Sequence, residues 1–232
     1  MVGASGAVCA SAVADGGAGG ATGAGGTGAG GAGGADAGTG GAGGGTVLFF
    51  EDFETGAAAR WTPSVATDWT VVPDGSLVYK EGTATSDDTW RTSAAGDPTW
   101  TDVEVEARVK WLPSATTLPL VAICARYQGP TDFYWAGIGA ASSVPGSVYI
   151  RRRTGTTSVR LIEMAANVTS GVWYTIKLRI VGSTLTLFVD GVQMLTVQDT
   201  MNPPAAYAAG KIGVASYDAA AEFDDVRVTS FP

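Results

Sequence analysis

Residues 171–198 read GVWYTIKLRIVGSTLTLFVDGVQMLTVQ, and their spacing decides the fold class. Val172, Tyr174, Ile176, Leu178 and Ile180 occupy alternate positions, the period of a strand with one face buried. A second apolar run, Leu185 to Val189, meets a third, beginning at Val192, across Asp190-Gly191. Asp-Gly is favoured in two-residue hairpin turns because both central residues there take positive φ. Strands are therefore predicted over 171–181, 184–190 and 192–198, with a tight hairpin between the last two.

The same pattern extends outward. Upstream, Val103, Val105, Ala107, Val109 and Trp111 alternate within a strand at 101–111. Further strands are predicted near 46–54, 68–72, 76–80, 88–93, 119–127, 132–140, 146–153, 158–165, 209–216 and 221–230, separated by Gly, Pro, Asp and Ser. No segment carries a helical period. Many short strands without helices imply an all-β, two-sheet antiparallel β-sandwich, here over residues 46–232.

The chain before residue 46 is of another kind. Residues 1–14 are small and apolar and end Ala12-Val13-Ala14 before Asp15, which reads as the remnant of a secretory signal without its charged start. Residues 15–45 form a Gly/Ala/Thr-rich arm, with 18 Gly, 8 Ala and 3 Thr between Gly16 and Gly45. Side chains this small cannot bury enough surface to offset the entropy of ordering, so the arm alone is expected to be non-globular. Gly16-Gly17, Gly19-Gly20, Gly25-Gly26, Gly30-Gly31 and Gly33-Gly34 recur in G-G-X triplets, the three-residue step of a polyproline-II-type helix. Two edges of such a helix are bare backbone that can pair with neighbouring arms. The other reading is a flexible linker.

Composition narrows the function. The net charge of −8 and a pI near 4.4, with Arg151-Arg152-Arg153 as the one basic cluster, argue against nucleic acid and anionic membrane surfaces. No stretch has the length of a membrane span. The chain holds no histidine, which removes histidine-based triads and most zinc or copper sites and leaves oxygen-liganded ions such as calcium. Cys9 and Cys124 are read as unpaired thiols, Cys124 within an apolar run.

Three groups of residues resemble a known family. Leu48-Phe49-Phe50-Glu51-Asp52-Phe53-Glu54 with Trp61 and Asp68-Trp69-Thr70-Val71-Val72 is similar to the opening of laminin G-like and concanavalin A-like jelly-roll domains of secreted bacterial proteins. Ala125-Arg126-Tyr127 with Asp132-Phe133-Tyr134-Trp135 resembles their central strands. The fullest match runs from Trp173 through Val189-Asp190-Gly191 and Gly210-Lys211-Ile212-Gly213-Val214 to Phe223-Asp224-Asp225-Val226-Arg227-Val228. The resemblance covers residues 46–230 and implies a jelly roll in an extracellular or cell-surface protein. It does not choose among lectins, glycosidases and structural modules, since one fold hosts many functions.

Trp90, Arg126, Tyr127, Tyr134, Trp135 and Arg151, with Arg91 and Tyr149 beside them, are candidates for glycan binding. Aromatic faces stack on sugar rings and guanidinium groups donate to hydroxyls. Arg126 ranks first among the polar candidates. Asp52 and Glu54 near the start of the sandwich and Asp224 and Asp225 near its end are candidates for a calcium site, if those strands run side by side. Asp102, Glu104 and Glu106 share a strand face as glucanase carboxylates do, but the order Asp-Val-Glu-Val-Glu departs from that family's pattern and the row continues into Arg108 and Lys110. A solvated sheet face accounts for it better.

Three functions are expected, in this order. The first is a non-catalytic extracellular subunit of a homopolymeric filament, assembled through the arm. The second is a glycan-binding or adhesive module for a polysaccharide, with the arm as a linker. The third is a glycoside hydrolase.

Overall fold

The computed structural model describes residues 45–83, 89–116, 118–141, 144–201 and 206–231. The expectations for residues 1–44, namely the signal remnant, Cys9 and the glycine pairs of the arm, lie outside these residues.

The first half of the sandwich holds β1 (Val47–Glu51), β2 (Thr62–Pro63), β3 (Trp69–Asp74), β4 (Ser76–Glu81), β5 (Trp90–Ala95), β6 (Val103–Trp111), β7 (Leu120–Gly129) and β8 (Asp132–Ala141). The second half holds β9 (Val144–Thr154), β10 (Thr157–Ala165), β11 (Tyr174–Val181), β12 (Thr184–Val189), β13 (Val192–Gln198), β14 (Lys211–Tyr217) and β15 (Ala221–Ser230). Every predicted strand is present. The two-residue β2 was not predicted, because a pair of residues carries no period.

All pairings are antiparallel and form two sheets. One runs β13-β12-β11-β6-β15-β4-β3 with β1 also on β15, eight strands in all, and the other runs β10-β9-β8-β7-β14-β5-β2. The Asp190-Gly191 hairpin joins β12 to β13 with φ of 48° and 78°, the positive pair its sequence called for.

Alternation places one residue in two between the sheets. Val105, Ala107, Val109, Ile176, Leu178 and Ile180 from the larger sheet meet Val121, Ile123, Ile138, Val148, Ile150 and Val214 from the smaller one, all fully buried. Burying each large aliphatic side chain contributes about 1.5–3 kcal/mol, so this layer dominates the stability of the fold. Phe49, Phe53, Trp61, Trp69 and Tyr79 close one region of the core, with Phe53 and Tyr79 stacked at 5.2 Å.

Two bulges re-phase this alternation. Phe223, Val226 and Val228 all join the core although 223 and 226 differ in parity, and the register shift lies at Asp225, whose φ is 49°. In β7, Ala125 joins the inter-sheet core while Tyr127 joins the cluster on the opposite face, and Arg126 between them has φ of 47°. An extra residue in one strand turns the following side chains to the other face.

The core also holds charge. The fully buried Arg152 donates to Asp199 at 2.7 Å, and the Tyr134 hydroxyl donates to the same carboxylate. Burial, together with that carboxylate, pushes the Tyr134 hydroxyl up to about 12. Cys124 is a buried free thiol whose pKa burial raises.

Candidate functional site

The outer face of the seven-stranded sheet is built like a second core that has been left partly open. Residues there alternate with the inter-sheet layer: Trp90 on β5, Leu120, Ala122 and Cys124 on β7, Phe133 and Trp135 on β8, Tyr149 on β9 and Ala215 on β14 form one buried cluster, with Tyr217 packed against it. The strands run β9-β8-β7-β14-β5 across the sheet, so rings far apart in the chain become neighbours. Trp90 lies 4.8 Å from Trp135 and 5.3 Å from Tyr217, centroid to centroid, and Trp135 lies 6.1 Å from Tyr149.

A cavity of about 450 Å³ opens over these rings, lined by Trp90, Trp135, Tyr149 and Tyr217 together with Arg151, Arg153 and Glu163. That volume is in the range of small-molecule sites, which combine apolar walls with a few convergent polar groups. Arg151 lies 5.7 Å from the Trp135 ring centroid and 5.2 Å from that of Tyr149, and its Nη2 donates to Glu163 Oε2 at 3.0 Å. Arg160 approaches the same carboxylate at 3.5 Å. Burial raises the Tyr149 hydroxyl and lowers the Arg153 guanidinium from their ordinary values.

Glu163 reaches this face through a third bulge. On β10, Ser158 pairs with Arg153 and Arg160 with Arg151, but the register then slips and Glu163 pairs with Tyr149. Strict alternation from Ser158 and Arg160 would have put Ile162 on the pocket side and Glu163 on the other.

Of the glycan-binding candidates, the structure brings Trp90, Trp135 and Arg151 together in the pocket, with Tyr149. Tyr127 stacks on Phe133 at 5.4 Å in the same aromatic layer, and its hydroxyl bonds Thr92 at 2.9 Å. Tyr134 faces inward to Asp199, and Arg91 pairs with Asp68 at 2.8 Å. Arg126 is not in the pocket. It is buried and donates to Thr101 O, Tyr207 O and Asp102 Oδ1, because its bulge turns the side chain out of alternation. Glu163, Arg153 and Tyr217 were missed. Arg153 shares a face with Arg151 and could have been found from that spacing, whereas the bulge that delivers Glu163 has no local signal.

The calcium candidates do not converge. β1 does lie beside β15, as the calcium reading required, yet among the described residues no group of three or more His, Cys, Asp or Glu is placed to hold a metal. Asp52 accepts from Glu54 N and Glu54 from Leu77 N, while Asp224 accepts from Ser76 and Arg108, and Arg108 also reaches Asp225. Burial raises the Asp224 carboxyl despite those contacts. Asp102, Glu104 and Glu106 lie with β6 in the other sheet, paired to Arg126, Arg179 and Lys177.

The model of the family described as 3-keto-alpha-glucoside-1,2-lyase-like domain matches residues 47–229. An extracellular exo-alpha-L-arabinofuranosidase of Streptomyces chartreusis is 30% identical over 147 residues, which are 63% of this chain and 16% of that protein. The chain thus spans a small part of the curated relative it matches. Among solved structures, a carbohydrate-binding module from Bacillus subtilis superposes with a TM-score of 0.61 at 16% identity, over 74% of this chain and 96% of that one. A Bacillus licheniformis beta-glucanase gives 0.58 at 14% identity, over 80% and 99%. At these identities the likeness establishes the concanavalin A-like jelly roll alone. Among the described residues no helix is long and apolar enough to cross a membrane.

These matches correct two expectations. The filament subunit and the homopolymer gain no support, and the reading of a non-enzyme is overturned by a lyase-like family and a glycosidase relative. That reading weighed the missing histidine heavily, but glycoside chemistry runs on carboxylates and does not need one. The chain belongs to the 3-keto-alpha-glucoside-1,2-lyase-like domain family.

Proposed function

We propose that this family member binds a saccharide in the pocket over Trp90, Trp135 and Tyr149, as part of glycoside breakdown outside the cell. The observation that carries the reading is the combination of a broad aromatic floor with the Arg151–Glu163 pair at its wall, in a cavity of about 450 Å³. A sugar ring presents an apolar face and a rim of hydroxyls. Tyr217, the most exposed ring of the lining, suits the face, and a guanidinium beside a carboxylate offers donors and acceptors to the rim.

Titration of the full chain with monosaccharides and oligosaccharides, followed by tryptophan fluorescence, tests this. Saturable quenching is expected that weakens at least about tenfold in Arg151→Gln, which removes donors from the wall of the cavity. Saturable binding that is indifferent to Arg151→Gln would place the sugar elsewhere.

Cleavage in the same pocket is a second reading, favoured by the carboxylate of Glu163 among the rings and by the chain's family. Glu163 is the group suited there to moving a proton to or from a glycosidic oxygen. Glu163→Gln is expected to abolish release of reducing sugar while keeping saccharide binding within about an order of magnitude. Undiminished release in that variant removes Glu163 from catalysis.

A further inference from the structure

The two arginines of the pocket are not equivalent. Arg151 is committed: it donates to Glu163 at 3.0 Å and lies against the Trp135 and Tyr149 rings. Arg153, two residues along the same strand face, lines the same cavity, but no hydrogen bond or ion pair joins its guanidinium to any described residue. Its Nε is buried without a partner, as are Arg151 Nε, Trp135 Nε1 and Ser158 Oγ, all on side chains that line the cavity. The ionisable groups that act most on Arg153 are Tyr217 and Asp132, and Asp132 already accepts from the Tyr207 hydroxyl and Gly155 N.

Charge does not balance in this cavity. Its described lining carries Arg151 and Arg153 against Glu163 alone, and Glu163 is shared with Arg160 at the rim. A guanidinium stays protonated, so Arg153 is a half-buried cation that no described acid hydrogen-bonds, with Asp132 acting on it only through space. Such a group is costly to cover with a neutral ligand, because the ligand strips its water and returns no charge. A carboxylate returns both, through two parallel N–H···O bonds. That the pocket carries a cation without a hydrogen-bonded acid is the more telling in a chain whose net charge is −8.

We infer that the pocket selects an acidic sugar, a uronate, whose carboxylate is held by Arg153. This rests on the saccharide reading of the pocket and names its substrate class. Arg151 with Glu163 supplies the hydroxyl contacts, so Arg153 is the residue that sets the preference for charge.

The test compares glucuronic and galacturonic acid, and their short oligomers, with glucose, galactose and glucose 6-sulfate, titrated into the full chain by calorimetry or tryptophan fluorescence. Uronates are expected to bind at least about tenfold tighter than their neutral counterparts, a gap that narrows as salt is raised. Arg153→Gln should erase that gap by weakening the uronates, and Arg153→Lys should keep part of it. The salt series on the native protein reads the same charge without any variant. Equal affinity for glucose and glucuronate overturns the inference and leaves the saccharide site standing, as does a gap that survives Arg153→Gln. Tighter binding of the sulfate ester than of the uronate overturns the carboxylate. Binding of none of these sugars removes the saccharide reading itself.

Discussion

The two outward faces of the sandwich handle charge in opposite ways. On the eight-stranded sheet, acids and bases close on one another: Glu104 meets Lys177 at 3.0 Å and Arg179 at 2.7 Å, Glu106 meets Lys177 at 3.0 Å, Arg108 meets Asp224 at 3.1 Å and Lys110 meets Glu222 at 2.6 Å. On the seven-stranded sheet the outward layer is aromatic, charges are few, and Arg153 is left over. A face whose charges satisfy one another has nothing to offer a ligand. A face of rings with a cation that no described acid hydrogen-bonds is less complete, and the proposed saccharide site rests on that difference.

The largest effect expected from breaking the contrast is at the aromatic floor. Trp135 is 1% exposed despite facing outward, so Trp135→Ala should cost about 3–5 kcal/mol in urea unfolding and remove saccharide binding as well. A cost under about 1 kcal/mol would mean that the floor is ordinary surface. On the opposite face, Glu104→Gln should cost no more than about 1 kcal/mol although it loses two cationic partners, and should leave saccharide affinity unchanged. A change in affinity there would break the separation of the two faces.

The smallest effect sharpens the contrast between the solvated ladder and the interior. Burial pushes the Glu104 carboxyl up, but hydrogen bonds from Arg179 and Lys177 outweigh it and hold it below its ordinary 4.5. Its contribution is present above that value and lost as pH falls through the lowered one. Glu81, fully buried and hydrogen-bonded by Thr83 N and Ser216, has its carboxyl raised above 4.5 by burial. Its contribution is present below 4.5 and lost as pH rises through the raised value. Urea midpoints followed against pH should therefore fall less steeply into acid in Glu104→Gln, and fall less on rising above pH 4.5 in Glu81→Gln. Curves that move together would show that neither carboxyl differs between folded and unfolded chains.

The fold was legible because it rests on a local rule. Alternation in Val103 to Trp111 and in Tyr174 to Ile180, and the turn at Asp190-Gly191, are visible within a few residues and survive in β6, in β11 and between β12 and β13. The pocket was half legible. Trp90, Trp135 and Arg151 could be named from residue type, but so could Tyr134 and Arg126, which type alone does not distinguish from them. Tyr134 differs from Trp135 by one step of the strand, and that step separates the inter-sheet layer from the outer aromatic face.

The sequence by itself determined that this chain builds two antiparallel sheets and, away from the bulges, which side chains each strand divides between two faces, since a period of two follows from the geometry of a single strand. Only the tertiary structure decided which outward residues meet. Trp90, Trp135, Tyr149 and Tyr217 converge because β5, β14, β8 and β9 are ordered across the sheet in a way their order along the chain does not state. The bulges at Arg126, in β10 ahead of Glu163, and at Asp225 were decided there too. Each is a one-residue slip imposed by how a whole strand must lie on its neighbours, and it reverses locally which face a side chain joins.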